Sequence, residues 1–327
     1  MTRRTLWLTL RAIVGVGLLL ATGWALATAG GAVPHQHWAL GALLAVAALA
    51  GLVLLGATAL AWRRDRRSPS EPPEPTRPRT RARRVLGAAG AGAGLVLLAV
   101  LAAAVVRIRP FPATDAALSA LRADDAVDVV ESGGWYAFVP RGEEPTTGLV
   151  YSPGARVDVR ATAAVLRPLA EAGYLVVALK EPLGIALTSP EQSASAMAAF
   201  DGVEHWAVGG HSLGGVAASS FAAAHQDEVD GLLLHASYPL GDMSASDVLV
   251  ASVSGSQDGL TTPDDIDASR AKLPAATVFT EVEGAVHAFF ADYGPQPGDG
   301  TPTVPRTQAQ AEIVAASEAL LAAVAAG

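Results

Sequence analysis

The chain has 327 residues, a net charge of −8 and no cysteine. The length suggests one large domain or two ordinary ones, and the missing cysteines exclude disulfides and metal–thiolate sites. Residues 1–109 contain 14 Lys and Arg against 3 Asp and Glu, whereas residues 110–327 contain 9 against 28. This division predicts that the basic and the acidic part do not share one solvent.

Three long apolar runs lie in the basic part, at residues 12–29, 38–62 and 85–106, and none contains a charged residue. Each is close to or above the ~18 to 20 residues that a helix needs to cross the hydrocarbon core. Trp38 and Trp62 bracket the second run, as expected where indoles lie at the membrane interface. The sequence therefore predicts a membrane region over residues 1–109 with three transmembrane helices, followed by a separate domain over residues 110–327.

The basic residues also predict a topology. Residues 63–84 contain nine arginines and a cluster of prolines, which indicates a flexible cytoplasmic loop, and Arg3 and Arg4 place the N-terminus on the same side. The third span then runs outward, so the acidic domain is expected on the outer face of the membrane. A signal peptide is the alternative for the first run, because "ALATAGG" offers small residues for cleavage. Cleavage there leaves the outer placement of the acidic domain unchanged.

Short apolar runs alternate with helical patterns in the acidic domain, from Val127 onward. Near-continuous apolar strands are typical of a parallel sheet that is covered on both faces, and the alternation predicts a doubly wound, mostly parallel α/β sheet. Strands are predicted at 134–140, 147–153, 174–180, 204–210, 230–237, 247–256 and 275–284. Helices are predicted at 157–172, 190–201, 213–224, 263–272 and 307–326.

The stretch "GGHSLGG" follows the predicted strand 204–210 and opens the predicted helix 213–224. The Gly-x-Ser-x-Gly pattern around Ser212 therefore lies in the strand–turn–helix context that a nucleophile elbow requires. Glycines on either side allow the strained turn that exposes the serine. We predict that Ser212 is a catalytic nucleophile; the alternative is a plain strand–helix turn.

A serine nucleophile needs a base, and the base needs an acid to orient it. In this context the partners follow in the chain order serine, acid, histidine. Asp258 stands just past a predicted strand, in a Gly-flanked turn, and His287 stands after the last predicted strand. We predict Asp258 as the acid, with a solvated turn aspartate as the alternative, and His287 as the base. Asp264 and Asp265 fit the first turn of a helix instead.

The remaining histidines near these segments receive other roles. His211 is adjacent to Ser212, and neighbouring residues on a tight turn project in different directions, so we expect a pocket-wall residue or a surface turn histidine. His235 lies inside an apolar strand and is expected to pack in the core or at a strand end.

Two backbone N–H groups are needed to hold the oxyanion that develops during acyl transfer. We expect one from Leu213, and a second from Ala155 or Gly154 in the loop "YSPGARVD" that follows strand 147–153. A simple Pro-Gly turn is the alternative for that loop.

Together, "YSPGARVD", "GGHSLGG", "GSQDGLTTP" and "GAVHAFFADYGPQPGDG" resemble the α/β-hydrolase superfamily over roughly residues 147–323, and in particular a compact lidless group related to dienelactone hydrolases. The resemblance implies Ser212 as nucleophile, Asp258 as acid and His287 as base. The chain departs from relatives in two places: it has Ser-Pro-Gly where many esterases carry His-Gly, and serine where dienelactone hydrolases use cysteine. Only "YPLGDMSAS" lies between two late strands, so no large cap is expected.

The sequence thus predicts a membrane-anchored, outward-facing serine hydrolase that cleaves a carboxylic ester or a related acyl compound. We expect a small acyl substrate and contact with the lipid bilayer, and we expect no cofactor, metal or nucleic-acid partner. A catalytically inactive hydrolase-fold binding module on the outer face is the alternative. A transporter built from the three spans has little support, because the spans contain no buried ionisable residue apart from Arg11 at one margin.

Overall fold

The computed structural model of the chain describes residues 2–67 and 81–327. The chain forms two compact units. The first comprises Met1–Gly30 and Ala39–Arg109, and the second comprises Gly31–Trp38 and Pro110–Gly327. We call Gly31–Trp38, which joins the first two helices of the chain, the connector.

The first unit contains the helices α1 (Arg3–Ala29), α2 (Trp38–Arg67) and α3 (Arg81–Arg107). All three are long and apolar enough to cross a membrane, over Arg3–Ala29, Trp38–Arg64 and Leu86–Arg107. Each predicted apolar run lies within one of these helices.

The predicted loop 63–84 differs from the structure at both of its ends. Residues 63–67 and 81–84 are helical, because arginine is a good helix former and every proline of this segment lies between residues 69 and 78. Residues 68–80, which contain these prolines, lie outside the described residues.

The second unit is built around one eight-stranded sheet in the order β1-β2-β4-β3-β5-β6-β7-β8. Its strands are β1 (Val127–Glu131), β2 (Trp135–Pro140), β3 (Thr147–Ser152), β4 (Leu175–Leu179), β5 (His205–His211), β6 (Gly231–His235), β7 (Leu249–Gly255) and β8 (Val278–Val282). β1 pairs antiparallel with β2, and β2 pairs antiparallel with β4. All other neighbours are parallel, so the mostly parallel sheet is confirmed.

All seven predicted strands are present, and β1 is an additional one. Six α-helices accompany the sheet: α4 (Asp115–Ala120), α5 (Ala163–Glu171), α6 (Gln192–Met197), α7 (Leu213–Ala224), α8 (Pro263–Ser269) and α9 (Arg306–Ala325). The helix predicted over 190–201 is shorter in the structure. Its C-terminal end tightens into i→i+3 hydrogen bonds, from Ala199 N–H to Ala196 O and from Phe200 N–H to Met197 O, as is common at helix ends.

Apolar side chains cover both faces of the sheet. On one face α5 and α9 contribute Leu166 and Ile313 to a buried cluster, and on the other α7 contributes Phe221 to a second cluster. β3, β4 and β6 are buried along their whole length, as their continuous apolar sequences predict. The doubly wound α/β fold is therefore confirmed.

The carboxyl ends of the parallel strands meet at one edge of the sheet. The segments that follow β3, β5, β7 and β8 contain the predicted site residues. No helix occurs between the end of β6 and the start of β7, so no large cap covers this edge from that connection.

Candidate active site

Ser212 stands alone between β5 and α7 with φ +54° and ψ −123°. This conformation is sparsely populated by residues other than glycine and persists only where its surroundings fix it. Here the Ser212 N–H donates to His235 O at 2.9 Å, and Ser237 Oγ donates to Ser212 O at 2.7 Å. A Cβ on Gly214 would collide with the Ser152 and Pro153 carbonyl oxygens. The half-exposed serine is thus held on a tight turn that only small neighbours allow.

Asp258 lies three residues past β7 and is buried, with 4% of its surface exposed. Its Oδ1 accepts hydrogen bonds from the backbone N–H groups of Leu260 and Thr261, both at 2.8 Å. Its Oδ2 lies 2.8 Å from Nδ1 of His287. The carboxylate therefore has one oxygen for its own turn and one for the histidine, which excludes a solvated turn aspartate.

His287 is the first residue of a 3-10 turn, His287–Phe290, beyond β8. It is 1% exposed, and its contact with Asp258 orients the ring. Among the described residues, the structure gives no hydrogen bond between Ser212 Oγ and His287, so only two of the three predicted triad members are joined in this conformation.

The predicted oxyanion donors belong to two segments of the chain. Leu213 begins α7, and the N–H groups of a first helical turn have no acceptor within the helix. The second candidate lies in Gly154–Val157, which we call the oxyanion turn. Val157 N–H donates to Gly154 O at 2.9 Å and closes this turn. Ala155 is half-buried whereas Gly154 is buried, which favours Ala155 of the two alternatives.

His211 is buried against the base and not exposed on the surface. Its ring centroid lies 4.4 Å from that of His287, and its ring is stacked on Phe290 at 6.1 Å. Burial holds the pKa of His211 well below its ordinary value, and the neighbouring His287 and His235 lower it further. The alternative of a surface turn histidine is therefore wrong, because the turn points this ring inward. Neutral His211 therefore packs directly against His287, the candidate base.

His235 lies in the core, as the sequence predicts. Its Nδ1 is 2.9 Å from Tyr151 Oη, and its Nε2 is 2.8 Å from Ser317 Oγ. Burial lowers its pKa to about 3. Asp264 and Asp265 lie in the first turn of α8, where Asp265 completes a capping box with Thr262, which also confirms the prediction.

Asp299 is a site residue that the sequence did not reveal. Its Oδ1 accepts from His287 N–H at 3.0 Å and its Oδ2 from Ala288 N–H at 2.9 Å. Oδ1 also accepts a hydrogen bond at 3.4 Å from the N–H of Gly259, which directly follows Asp258. Asp299 thus links the acid turn to the base turn. The only sequence signal is its position in "PGDG", a loop composition with many other uses.

Within residues 2–67 and 81–327, no group of three or more His, Cys, Asp or Glu side chains is arranged to hold a metal ion.

A family model described as the alpha/beta hydrolase family matches residues 148–311, which include every candidate site residue. No curated protein sequence is significantly similar to the chain. Among solved structures, an esterase from Pyrobaculum calidifontis is 17% identical, with a TM-score of 0.48 over 64% of this chain and 89% of that one. A protein described as a predicted CIB-like hydrolase, from Thermoplasma acidophilum, is also 17% identical, with a TM-score of 0.40 over 51% of this chain and 90% of that one.

Proposed function

The chain belongs to the alpha/beta hydrolase family, and we propose that it is a membrane-anchored serine hydrolase that cleaves a carboxylic ester or related acyl compound. One observation carries the proposal: a buried Asp258–His287 pair, joined at 2.8 Å, lies at the same sheet edge as a serine on a strained turn. Burial of both partners excludes a solvated ion pair, and the strain at Ser212 is typical of a functional site.

In the proposed reaction His287 Nε2 takes the hydroxyl proton as Ser212 Oγ attacks the ester carbonyl. Asp258 keeps the other ring nitrogen protonated and stabilises the imidazolium. The N–H groups of Leu213 and Ala155 bind the oxyanion. When the tetrahedral intermediate collapses, His287 gives the proton to the leaving alcohol, and an acyl-enzyme forms on Ser212. Water, deprotonated by His287, then releases the acid and restores the serine. The substrate of dienelactone hydrolases is not carried over, because the nucleophile differs.

The position of the connector agrees with three membrane spans, whichever way the chain is inserted. Gln36 Nε2 in the connector donates to Asp158 Oδ1 at 3.0 Å, from which we infer that the connector and the hydrolase domain share one side of the membrane. With the basic loop 63–84 in the cytoplasm, α2 returns inward and α3 outward, which places both the connector and the domain outside. The contact agrees with three spans, and the charge distribution alone favours the outward direction.

Covalent labelling tests the nucleophile. A fluorophosphonate probe is expected to label the full chain in detergent, and Ser212→Ala is expected to remove the label. Ser220→Ala, an exposed serine on the same helix α7, is the matched control and should label as the wild type does. Undiminished labelling of Ser212→Ala contradicts the proposed nucleophile.

Hydrolysis separates an enzyme from an inactive binding module. The wild type is expected to hydrolyse p-nitrophenyl butyrate, and His287→Ala is expected to lose about 10⁴-fold in kcat, as for other triad members. A wild-type rate equal to that of His287→Ala favours the binding module.

A further inference from the structure

The connector docks on the hydrolase domain through two polar side chains. His35 Nδ1 lies 3.0 Å from Glu131 Oε1 and 2.9 Å from Tyr136 Oη. Gln36, which is 7% exposed, donates from Nε2 to Asp158 at 3.0 Å. Because a buried amide without a hydrogen-bond partner is unfavourable, the Gln36–Asp158 contact stabilises this position of the segment.

Asp158 is the point where several segments meet. It is fully buried, and beside Gln36 its carboxylate accepts from Arg160 Nη2 at 2.7 Å and from Ala113 N–H at 3.3 Å. Its own N–H donates to Phe111 O at 2.9 Å. Asp158 directly follows Val157, the last residue of the oxyanion turn. Asp158 is therefore bonded directly to the oxyanion turn, with no residue between them.

The oxyanion turn needs such support because its backbone is strained. Arg156 has φ +64°, a conformation that is unfavourable for residues other than glycine and persists only where the surroundings fix it. Here Arg156 N–H donates to Gly184 O and Arg156 O accepts from Phe111 N–H, both at 2.7 Å. Phe111 O in turn accepts a hydrogen bond from Asp158 N–H. The chain of contacts thus runs from Gln36 through Asp158 and Phe111 to Arg156, next to Ala155.

We infer that the connector is a positioning element of the active site: Gln36, acting through Asp158, holds the oxyanion turn so that the Ala155 N–H faces the substrate carbonyl oxygen. The inference rests on the proposed function. It gives the segment between α1 and α2 a role in the hydrolase unit, because this segment completes the support of an oxyanion donor. Gln36 touches no reacting atom and is a positioning residue.

The test compares Gln36→Met, which keeps the length of the side chain but loses the donor, with the wild-type full chain in detergent. Loss of an oxyanion donor costs about 10²- to 10³-fold in kcat, so partial displacement is expected to lower kcat about tenfold. KM for p-nitrophenyl butyrate should change less than about twofold. The Ki of a boronic acid, whose tetrahedral adduct with Ser212 places an oxygen in the oxyanion site, should rise about tenfold in parallel with the fall in kcat.

Controls separate this role from a structural one. Gln226→Met, an exposed glutamine beyond α7, should behave as the wild type in all three measurements. The labelled fraction of Gln36→Met with fluorophosphonate should equal that of the wild type, which shows that the site is folded. If Gln36→Met does not accumulate, the same comparison is made with Gln36→Asn, whose shorter side chain withdraws the amide from Asp158.

Two results overturn the inference. One is a kcat and a boronate Ki equal to those of the wild type. The other is a loss of kcat that only follows the labelled fraction while the boronate Ki is unchanged. An inactive wild type overturns the proposed function instead, whereas an active wild type with unaffected Gln36 variants overturns only the role of the connector.

Discussion

Asp258 and His287, 29 residues apart in the chain, are joined at 2.8 Å, and both side chains are buried. The second carboxylate oxygen of Asp258 already accepts two backbone N–H groups, from Leu260 and Thr261. The orientation of this side chain is therefore determined by its own turn, and only Oδ2 remains for the histidine.

This arrangement predicts a severe effect of Asp258→Asn. The amide oxygen must face the N–H groups of Leu260 and Thr261, so the amide N–H₂ faces His287 Nδ1. The ring then adopts the tautomer with Nε2 protonated, which cannot take the Ser212 proton. We expect kcat for p-nitrophenyl butyrate to fall about 10⁴-fold. Asp264→Asn, an exposed residue in the first turn of α8, is the control, and an Asp258→Asn variant that keeps a tenth of wild-type kcat contradicts the assignment of the acid.

Asp299 is predicted to position the base without touching substrate. In Asp299→Asn an amide N–H₂ group replaces one carboxylate oxygen. This donor then faces the N–H of His287 or Ala288, and one hydrogen bond is lost. Since misplacement of a catalytic group by about 1 Å costs about 10²-fold, we expect kcat/KM to fall by about 10- to 100-fold. The rate of fluorophosphonate labelling should fall with it, while the final labelled fraction stays that of the wild type. A labelled fraction that falls as far as kcat/KM indicates that Asp299→Asn only unfolds the site.

The sequence was sufficient for the elements that have strong local patterns. Buried parallel strands are apolar along their whole length, so all seven predicted strands are present, and the helix predicted over Leu213–Ala224 has the same bounds in the structure. β1 was not predicted, because "VDVVE" is a short edge strand that is half exposed. Its alternation spans too few residues to stand out.

Contacts between distant polar residues could not be predicted in the same way. Gln36 and Asp158 are 122 residues apart, and neither periodicity nor spacing marks a glutamine that pairs with a buried aspartate. The inward direction of His211 was also hidden, because it depends on how the elbow packs against the 3-10 turn that begins at His287. Such relationships arise from tertiary packing alone.

The buried histidines predict a loss of stability in acid. Burial lowers the pKa of His235 to about 3 in the folded chain, whereas an unfolded histidine titrates near 6.5. Between these values the unfolded chain binds more protons, so the free energy of unfolding falls as pH decreases, by about 1.4 kcal/mol per pH unit for one such group. His211, whose pKa is also lowered, acts in the same direction. The contribution is complete above about pH 6.5.

Chemical denaturation of the full chain in detergent at pH 7.5 and pH 5 measures this effect. His235→Phe should be less stable at pH 7.5, because Tyr151 and Ser317 lose a partner, but its stability should depend less on pH. Tyr151→Phe loses one of the same hydrogen bonds and keeps the titrating ring, so its pH dependence should match the wild type. Equal pH dependence in His235→Phe and the wild type contradicts the assignment.

The absence of cysteine from the sequence makes the proposed topology directly testable. Single cysteines at Gly31 in the connector, at Ser244 in the hydrolase domain and at Ser68 in the predicted cytoplasmic loop report on three segments. Gly31 is exposed and has no atom within 4 Å of an added Cβ, and Ser244 is exposed. With a membrane-impermeant maleimide on intact cells, we expect Gly31→Cys and Ser244→Cys to react, and Ser68→Cys to react only after permeabilisation.

The connector makes this experiment more stringent than charge counting. Because Gln36 and Asp158 are in contact, Gly31→Cys and Ser244→Cys must report the same side whichever way the chain is inserted. Labelling of Ser68→Cys in intact cells together with protection of the other two reverses the topology but keeps the contact. Labelling of Gly31→Cys without Ser244→Cys, when both react after permeabilisation, instead separates the connector from the domain and removes the basis for its role at the oxyanion turn.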